Sequence, residues 1–270
     1  MTEKFNSKVQ SINSRLSIQV SLTGLSFLIA NLETKATLFF SENKYPDPLT
    51  PEELLFEIEK EISKTEKLSL EFEEILVVYS TKMHAAVPLS FFEESRASEF
   101  LKFNSKILST DFVAHDIIDS QDIVVVYVPF VNINNYFFEK YGSFQYYHGV
   151  TSLLKGVLKI EGHSIVPKMY LHLQGKMVDC VIIKDGSLQL CNTFSYRTPE
   201  DLIYYILFCM EQLKLNPDTI PLFLCGNIEK GDANYEILYT YIRTIKFVEN
   251  QTSLTLEASH KDFLINNTLL

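Results

Sequence analysis

Basic residues are in deficit in this chain: 24 lysines and arginines stand against 34 aspartates and glutamates over 270 residues, a formal charge of -10. Binding to a phosphate backbone draws mainly on clustered Lys and Arg, so nucleic acid is disfavoured as a partner, and an anionic membrane surface with it. Long apolar runs are missing too. No stretch approaches the roughly 18 apolar residues of a membrane span. The opening MTEKFNSKVQSINSRL carries charges and amides where a secretory signal would carry its apolar region. The expected compartment is the cytoplasm. Cysteine is scarce, and Cys180, Cys191, Cys209 and Cys225 form no CxxC pair; each sits inside an apolar run, the pattern of buried reduced thiols rather than of a metal site or disulfides. GxSxG, HExxH and the Walker-type GxxxxGK[ST] are all absent. His84, His115, His163, His172 and His260 are scattered singly. His148, in YYHG, has no paired carboxylate or thiol in its motif and reads as a loop or helix-cap residue. The residues therefore specify no catalytic constellation and no metal site.

What the chain does have is apolar patterning, with 46% hydrophobic residues, enough for a sizeable core. From Met169 to Gly226 the pattern is especially legible. Apolar runs 169–173 and 177–183 flank Gln174-Gly175, and Asp185-Gly186 repeats the turn before a third run from Leu188 to Phe194. Glycine there supplies the positive φ a tight hairpin needs, so three strands meander. Thr198, Pro199 and Asp201 then form a helix start, with the threonine as cap, proline first and an acid third. Leu202, Ile203, Ile206, Leu207, Met210 and Leu213 recur at helical spacing, Asn216-Pro217 stops the helix, and 220–224 reads as a short buried strand.

The first half repeats this plan. Runs 16–22 and 25–32 flank Thr23-Gly24, 36–40 supplies a third strand, and TPEELL opens a second Thr-capped, Pro-led helix at Thr50. Strand 73–79 follows, then a short helix from Pro88 and Ser90 through Leu101, and a buried strand over 123–130. Segments 132–139 and 151–160 read as helices that close one half and lead into the other. Equivalent features lie 151 (Gly24 to Gly175), 148 (Thr50 to Thr198) and 145 (Ile75 to Ile220) residues apart. The expected architecture is α/β, with two similar lobes, 1–160 and 161–270. Each has a mixed sheet built from an antiparallel meander plus strands entered through crossover helices.

This order of elements resembles the duplicated actin-like, or ribonuclease H-like, fold of actin, the sugar kinases and the heat-shock chaperones, and of related pilus assembly proteins. More closely, the segments VVYSTKMHAAVPLSFF, EFLKFN, YYHGVTSLL and FSYRTPEDLIYYILFCMEQLKL are similar to those of an uncharacterised bacterial family, domain of unknown function three-eight-two-two. The resemblance implies an actin-like ATPase fold and carries no established activity.

Catalytic members of that fold hold ATP and magnesium between the lobes. They use an Asp in a Gly-rich turn at each first hairpin and a paired glycine after the fourth strand of the second lobe. Here the first hairpin reads QVSLTGLS, with Gln19, Ser21 and Thr23 where the carboxylate would stand. The second reads LHLQGKMV, where Lys176 follows Gly175, and the paired glycine is replaced by Gly226-Asn227. Gly24, Gly175 and Gly226 then serve as turn glycines. If any ligand cleft persists, its candidate residues are Thr23, Gly24, Gln174, Gly175, Lys176, Gly226 and Asn227. The expected function is that of a non-catalytic interaction or scaffold module without a cofactor, whose partner is a protein. The alternative is an ATP- and Mg-binding ATPase or phosphotransferase whose acid comes from elsewhere, such as Asp116, Asp179, Asp185 or Asp232. Two features offer protein-binding surface. One is the Glu-rich helix from Glu52 to Glu66, whose charges also suit a solvated face. The other is the aromatic middle, Tyr127, Tyr136, Phe137, Phe138, Tyr141, Phe144, Tyr146 and Tyr147, most of it core with an exposed subset.

Overall fold

A computed structural model describes residues 12–102, 107, 111–161, 165–249 and 260–269. The opening segment, His163 and the end of EFLKFN lie outside the described residues. In chain order the elements are β1 (Ile12–Ser21), β2 (Gly24–Asn31), β3 (Thr37–Lys44), α1 (Pro51–Lys64), β4 (Phe72–Tyr79), β5 (His84–Pro88), α2 (Ala97–Leu101), β6 (Ala114–Ile118) and β7 (Ile123–Tyr127). Then come α3 (Val131–Tyr141), β8 (Gln145–His148), α4 (Gly149–Glu161), β9 (Lys168–Gln174), β10 (Met177–Lys184), β11 (Ser187–Ser195) and α5 (Pro199–Gln212). The chain continues through β12 (Pro221–Gly226), α6 (Ala233–Tyr241), β13 (Thr244–Phe247) and α7 (Phe263–Asn266).

Two five-stranded sheets carry the same topology, β3-β2-β1-β4-β8 and β11-β10-β9-β12-β13. In each the first three strands are antiparallel and the last two join parallel, as the hairpin turns and the crossover helices require. One apolar cluster packs α1 and α3 on the first sheet through Leu54, Ile58, Ile133 and Phe137. A second packs α5 and α6 on the other sheet through Leu202, Ile206, Met210 and Leu238. Between the sheets, α4 buries Val150, Leu153, Leu154 and Val157 against Tyr170, Val181 and Cys225.

The local signals behave as their chemistry dictates. Thr50 accepts from the Glu53 amide while the Glu53 carboxylate accepts from the Thr50 amide, and Thr198 and Asp201 do the same. Thr50→Ala and Thr198→Ala should each cost about 1 kcal/mol and should add, being distant sites. Thermal melts of the two single variants and the double check this, and strong coupling would contradict it. At the β10–β11 turn both Asp185 (φ 54) and Gly186 (φ 70) are left-handed, the geometry of a type I′ hairpin. Gly186→Val puts a β-branched residue there and should destabilise by roughly 1–3 kcal/mol. An unchanged melting temperature would refute the turn's role.

Three expectations need correction. The strand expected over 123–130 is β7, five residues long, and it lies between β5 and β6 in a separate three-stranded antiparallel sheet. Pro129 has no amide to continue a ladder, so the strand ends before it. The fifth strand of the first large sheet is instead β8, pairing Gln145–His148 with Leu76–Tyr79. The stretch from Pro88 to Leu101 is also not one helix. It is two 3-10 turns, Leu89–Phe91 and Glu94–Arg96, followed by the single turn of α2. Of the aromatic middle, Tyr127 and Phe137 are fully buried, Tyr136, Tyr141, Phe144 and Tyr146 are partly buried against the core around Phe137, and Phe138 is exposed, so less of it is core than expected.

Candidate inter-lobe site

The β1–β2 turn of the first sheet and the β9–β10 turn of the second meet face to face. Gln174 Nε2 donates to Ser21 Oγ at 2.9 Å, and Ser21 Oγ donates to the Gly24 carbonyl at 3.1 Å. Gly175 (φ 57) lies directly on Thr23: a Cβ at Gly175 would sit 2.9 Å from Thr23 Oγ1. The turns therefore close the space between them rather than frame it. What remains is a void of about 20 Å³ with Thr23, Gly24, Gln174, Gly226 and Asn227 on its wall. That is room for about one water molecule, against some 300–1,000 Å³ for an ordinary organic ligand. Lys176 turns away and sets its ammonium over the Tyr196 ring, 5.6 Å from the centroid.

The chain itself covers the far side of this void. Gly226 (φ 82) donates its amide to the His260 carbonyl at 2.8 Å, and the Asn227 amide donates to Leu173 O at 2.6 Å. From His260 the chain runs into α7, whose Phe263, Leu264 and Ile265 are each 1% exposed. Phe263 and Leu264 pack with Tyr170 and Cys225 of the second sheet, whereas Ile265 packs with Leu28 and Ala30 of the first. Thr268 Oγ1 then donates to Ser17 Oγ at 2.7 Å, and its carbonyl accepts from Arg15. This short segment thus bridges both sheets where sequence reading had placed nothing.

Four acids were candidates for a metal-organising carboxylate. Asp185 lies in the β10–β11 turn and Asp232 accepts from the Glu229 amide ahead of α6. Asp116 on β6 accepts from Tyr127 Oη at 3.0 Å, the His148 amide at 2.8 Å and Thr151 Oγ1 at 2.6 Å. Burial raises its carboxyl above the usual range and outweighs those three hydrogen bonds. Asp179 on β10 meets His172 Nδ1 at 2.9 Å and Thr193 Oγ1 at 2.5 Å. Burial acts to raise Asp179, but His172, Thr193 and His84 together hold it below the usual range. Both oxygens of buried Asp116 and of partly buried Asp179 are thus engaged by protein groups. A fifth acid, Asp262, borders the void with Glu42, Lys44 and Lys261. Its carboxyl is pushed up to about 6, first by burial and then by Glu42.

A buried histidine network was missed in the sequence. His84 Nε2 lies 2.6 Å from Thr193 Oγ1, so β5 of the small sheet is tied to β11 and, through Thr193, to Asp179. The His84 ring sits 4.6 Å from that of His148, and burial pushes both imidazoles below their ordinary value. The helix-cap role expected of His148 is present, since its Nδ1 accepts from the Val150 amide at the start of α4, but the residue is 1% exposed rather than in a loop. Its other partners, Thr81 and Asp116, lie 67 and 32 residues away, and no local motif announces them.

Comparison with solved structures places this geometry in a known fold. A protein from Bacteroides thetaiotaomicron with an actin-like ATPase fold and unknown function superposes with a TM-score of 0.82 at 21% identity, over 98% of this chain and 99% of that one. PilM, in the PilM–PilN type IV pilus biogenesis complex, gives a TM-score of 0.62 at 12% identity over 94% and 97%. The ethanolamine utilization protein EutJ from Carboxydothermus hydrogenoformans gives 0.51 at 7% identity over 95% and 89%. The duplicated α/β lobes are those of the actin-like fold. No curated protein sequence matches the chain. Residues 3–245 match one family profile, and the chain belongs to that family, described as protein of unknown function (DUF3822).

Proposed function

We propose that this protein is a non-catalytic interaction or scaffold module built on the actin-like fold, organised as lobes 1–160 and 161–270. Its inter-lobe cleft is closed by its own residues rather than by nucleotide. The observation that carries this reading is the direct contact of the two first hairpins, Gln174 on Ser21 and Gly175 on Thr23, beside which the voids among the described residues are of about 20 and 10 Å³. Phosphoryl transfer needs a carboxylate-held metal and donors aimed at the phosphates, and neither hairpin offers an acid. Of the acids that could stand in, Asp116 and Asp179 are committed to protein hydrogen bonds.

An interaction role is supported by the surface. Phe56 of α1 and Tyr204 of α5 occupy equivalent places after their caps and are 62% and 64% exposed, and Tyr204 stacks with half-exposed Phe208. Aromatic side chains are enriched in protein interfaces. PilM, which has this fold, is found in complex with PilN. No helix among the described residues is long and apolar enough to cross a membrane. Free Cys180, Cys191, Cys209 and Cys225 suit the reducing cytoplasm in which we place the protein. The test is a magnesium-dependent phosphate-release assay on the purified chain. Release at the level of a protein-free control is expected, and turnover abolished by a chelator would overturn the non-catalytic reading.

A further inference from the structure

At the opposite end of the first sheet from the closed hairpins, a groove of about 740 Å³ lies between the sheet and α4. Its floor is Arg15 of β1, Glu74 and Leu76 of β4, and Gln145 and Tyr147 of β8, set side by side by the parallel register Arg15↔Glu74 and Leu76↔Gln145. Its wall is the face of α4 that carries Ser152, Lys155 and Lys159. The cations on the two sides are in different states. Arg15 is already committed, ion-paired to Glu74 at 2.5 Å and donating to the Thr268 carbonyl. Lys155 and Lys159 are exposed, and no carboxylate among the described residues lies within ion-pair distance of either. Lys155 instead holds its ammonium over the Tyr147 ring, 4.5 Å from the centroid, which points it into the groove.

On one helix face the two lysines make a local positive patch in a chain of net charge -10. Spaced i, i+4 on one helix face, the two lysines are roughly 6 Å apart at Cβ. Alternate side chains of an extended peptide recur at about the same interval, roughly 6.6 Å. Glu73, beside the ion-paired Glu74 on the side away from α4, repels a carboxylate there, so the electrostatics fix which way an acidic chain would lie. Leu76 and the Tyr147 ring give the groove apolar lining that a lone inorganic anion would not use.

We infer that this groove receives an extended acidic segment of a partner protein, with carboxylates at alternate positions engaging Lys155 and Lys159. The inference rests on the interaction-module reading and names the chemistry of one partner. The probe is a fluorescein-labelled hexaglutamate peptide, with hexaglutamine as control, followed by fluorescence anisotropy on the full chain at low salt. Hexaglutamate should bind saturably, weaken as salt is raised, and bind about tenfold more weakly to Lys155→Ala/Lys159→Ala. Hexaglutamine should not bind. Lys60→Ala/Lys64→Ala, on the distant α1, should bind as wild type does. All four lysines are exposed, so melting temperatures should stay level and loss of fold is separable from loss of binding. No hexaglutamate binding, or binding unchanged when Lys155 and Lys159 are removed, overturns the assignment. Neither outcome bears on nucleotide turnover, whose detection would sink the non-catalytic reading without touching these lysines.

Discussion

Gly226→Ala lowers the stability of the fold by about 4 kcal/mol, the sum of two penalties that a single methyl group incurs. The backbone at Gly226 has φ 82, outside the region that residues with a Cβ adopt comfortably, and holding a non-glycine there costs of order 1–3 kcal/mol. The second penalty is steric. A Cβ built on Gly226 overlaps Leu173 O and stands 2.9 Å from both Leu173 N and the His172 ring. Forcing an extra carbon into packed backbone typically costs a further 1–3 kcal/mol. Neither neighbour can easily yield. Leu173 O accepts from the Asn227 amide, and the Gly226 amide is held by His260 O, so the alanine also strains the bridge formed by the C-terminal segment. The melting temperature should fall by roughly 10 °C, taking 2–4 °C per kcal/mol for a chain of this size. A fall of under 2 °C would mean that β12 does not approach β9 as closely as described.

Asp116→Ala should cost about 3–5 kcal/mol, even though a buried carboxylate is itself expensive. The side chain is 6% exposed, and its raised pKa records the cost of burying its charge. Removing it relieves that cost but orphans three donors at once: the Tyr127 hydroxyl, the His148 amide and the Thr151 hydroxyl. Each buried donor without a partner costs about 1–3 kcal/mol, so the loss exceeds the relief. These donors sit on β7, at the end of β8 and on α4, which makes Asp116 the polar junction of the small sheet, the first lobe and the helix between the lobes. Asp116→Asn should recover only part of the stability, because its amide NH₂ points a donor at donors. Urea titrations of both variants check the order wild type, Asn, Ala. An alanine variant as stable as wild type would free Asp116 for a role other than structure.

The parts of this fold that were legible in the sequence are the parts whose cause is local. The caps at Thr50 and Thr198 need only three residue types within four positions, and the Asp185-Gly186 turn needs only two, so sequence and structure agree there. The duplication was legible because the same local signals recur at a nearly constant separation. The strand β8 was not. QYYH has the aromatic composition of its surroundings, and it is a strand only because β4 offers an open edge. The small sheet was likewise hidden, since β5, β6 and β7 are five residues each and define one another by pairing. At the candidate site the sequence showed which residues stand in the hairpins, but not that the hairpins touch. Ser21 and Gln174 are 153 residues apart, and their hydrogen bond follows from the docking of two lobes rather than from either turn. The His84–Thr193 link across 109 residues was invisible for the same reason.

That docking is the centre of the account, and calorimetric titration of the full chain with ATP and magnesium tests it most directly. With the hairpins in contact, no saturable heat is expected up to millimolar ATP, and no thermal upshift in a parallel melt. A ligand present at 100 times its dissociation constant would have added about 2.7 kcal/mol to the stability. The titration should give the same flat trace for Lys176→Ala, whose ammonium rests on Tyr196 rather than on the cleft wall. Saturable micromolar binding to the wild type that Lys176→Ala abolishes would contradict the closed cleft and establish the nucleotide-binding alternative in its place.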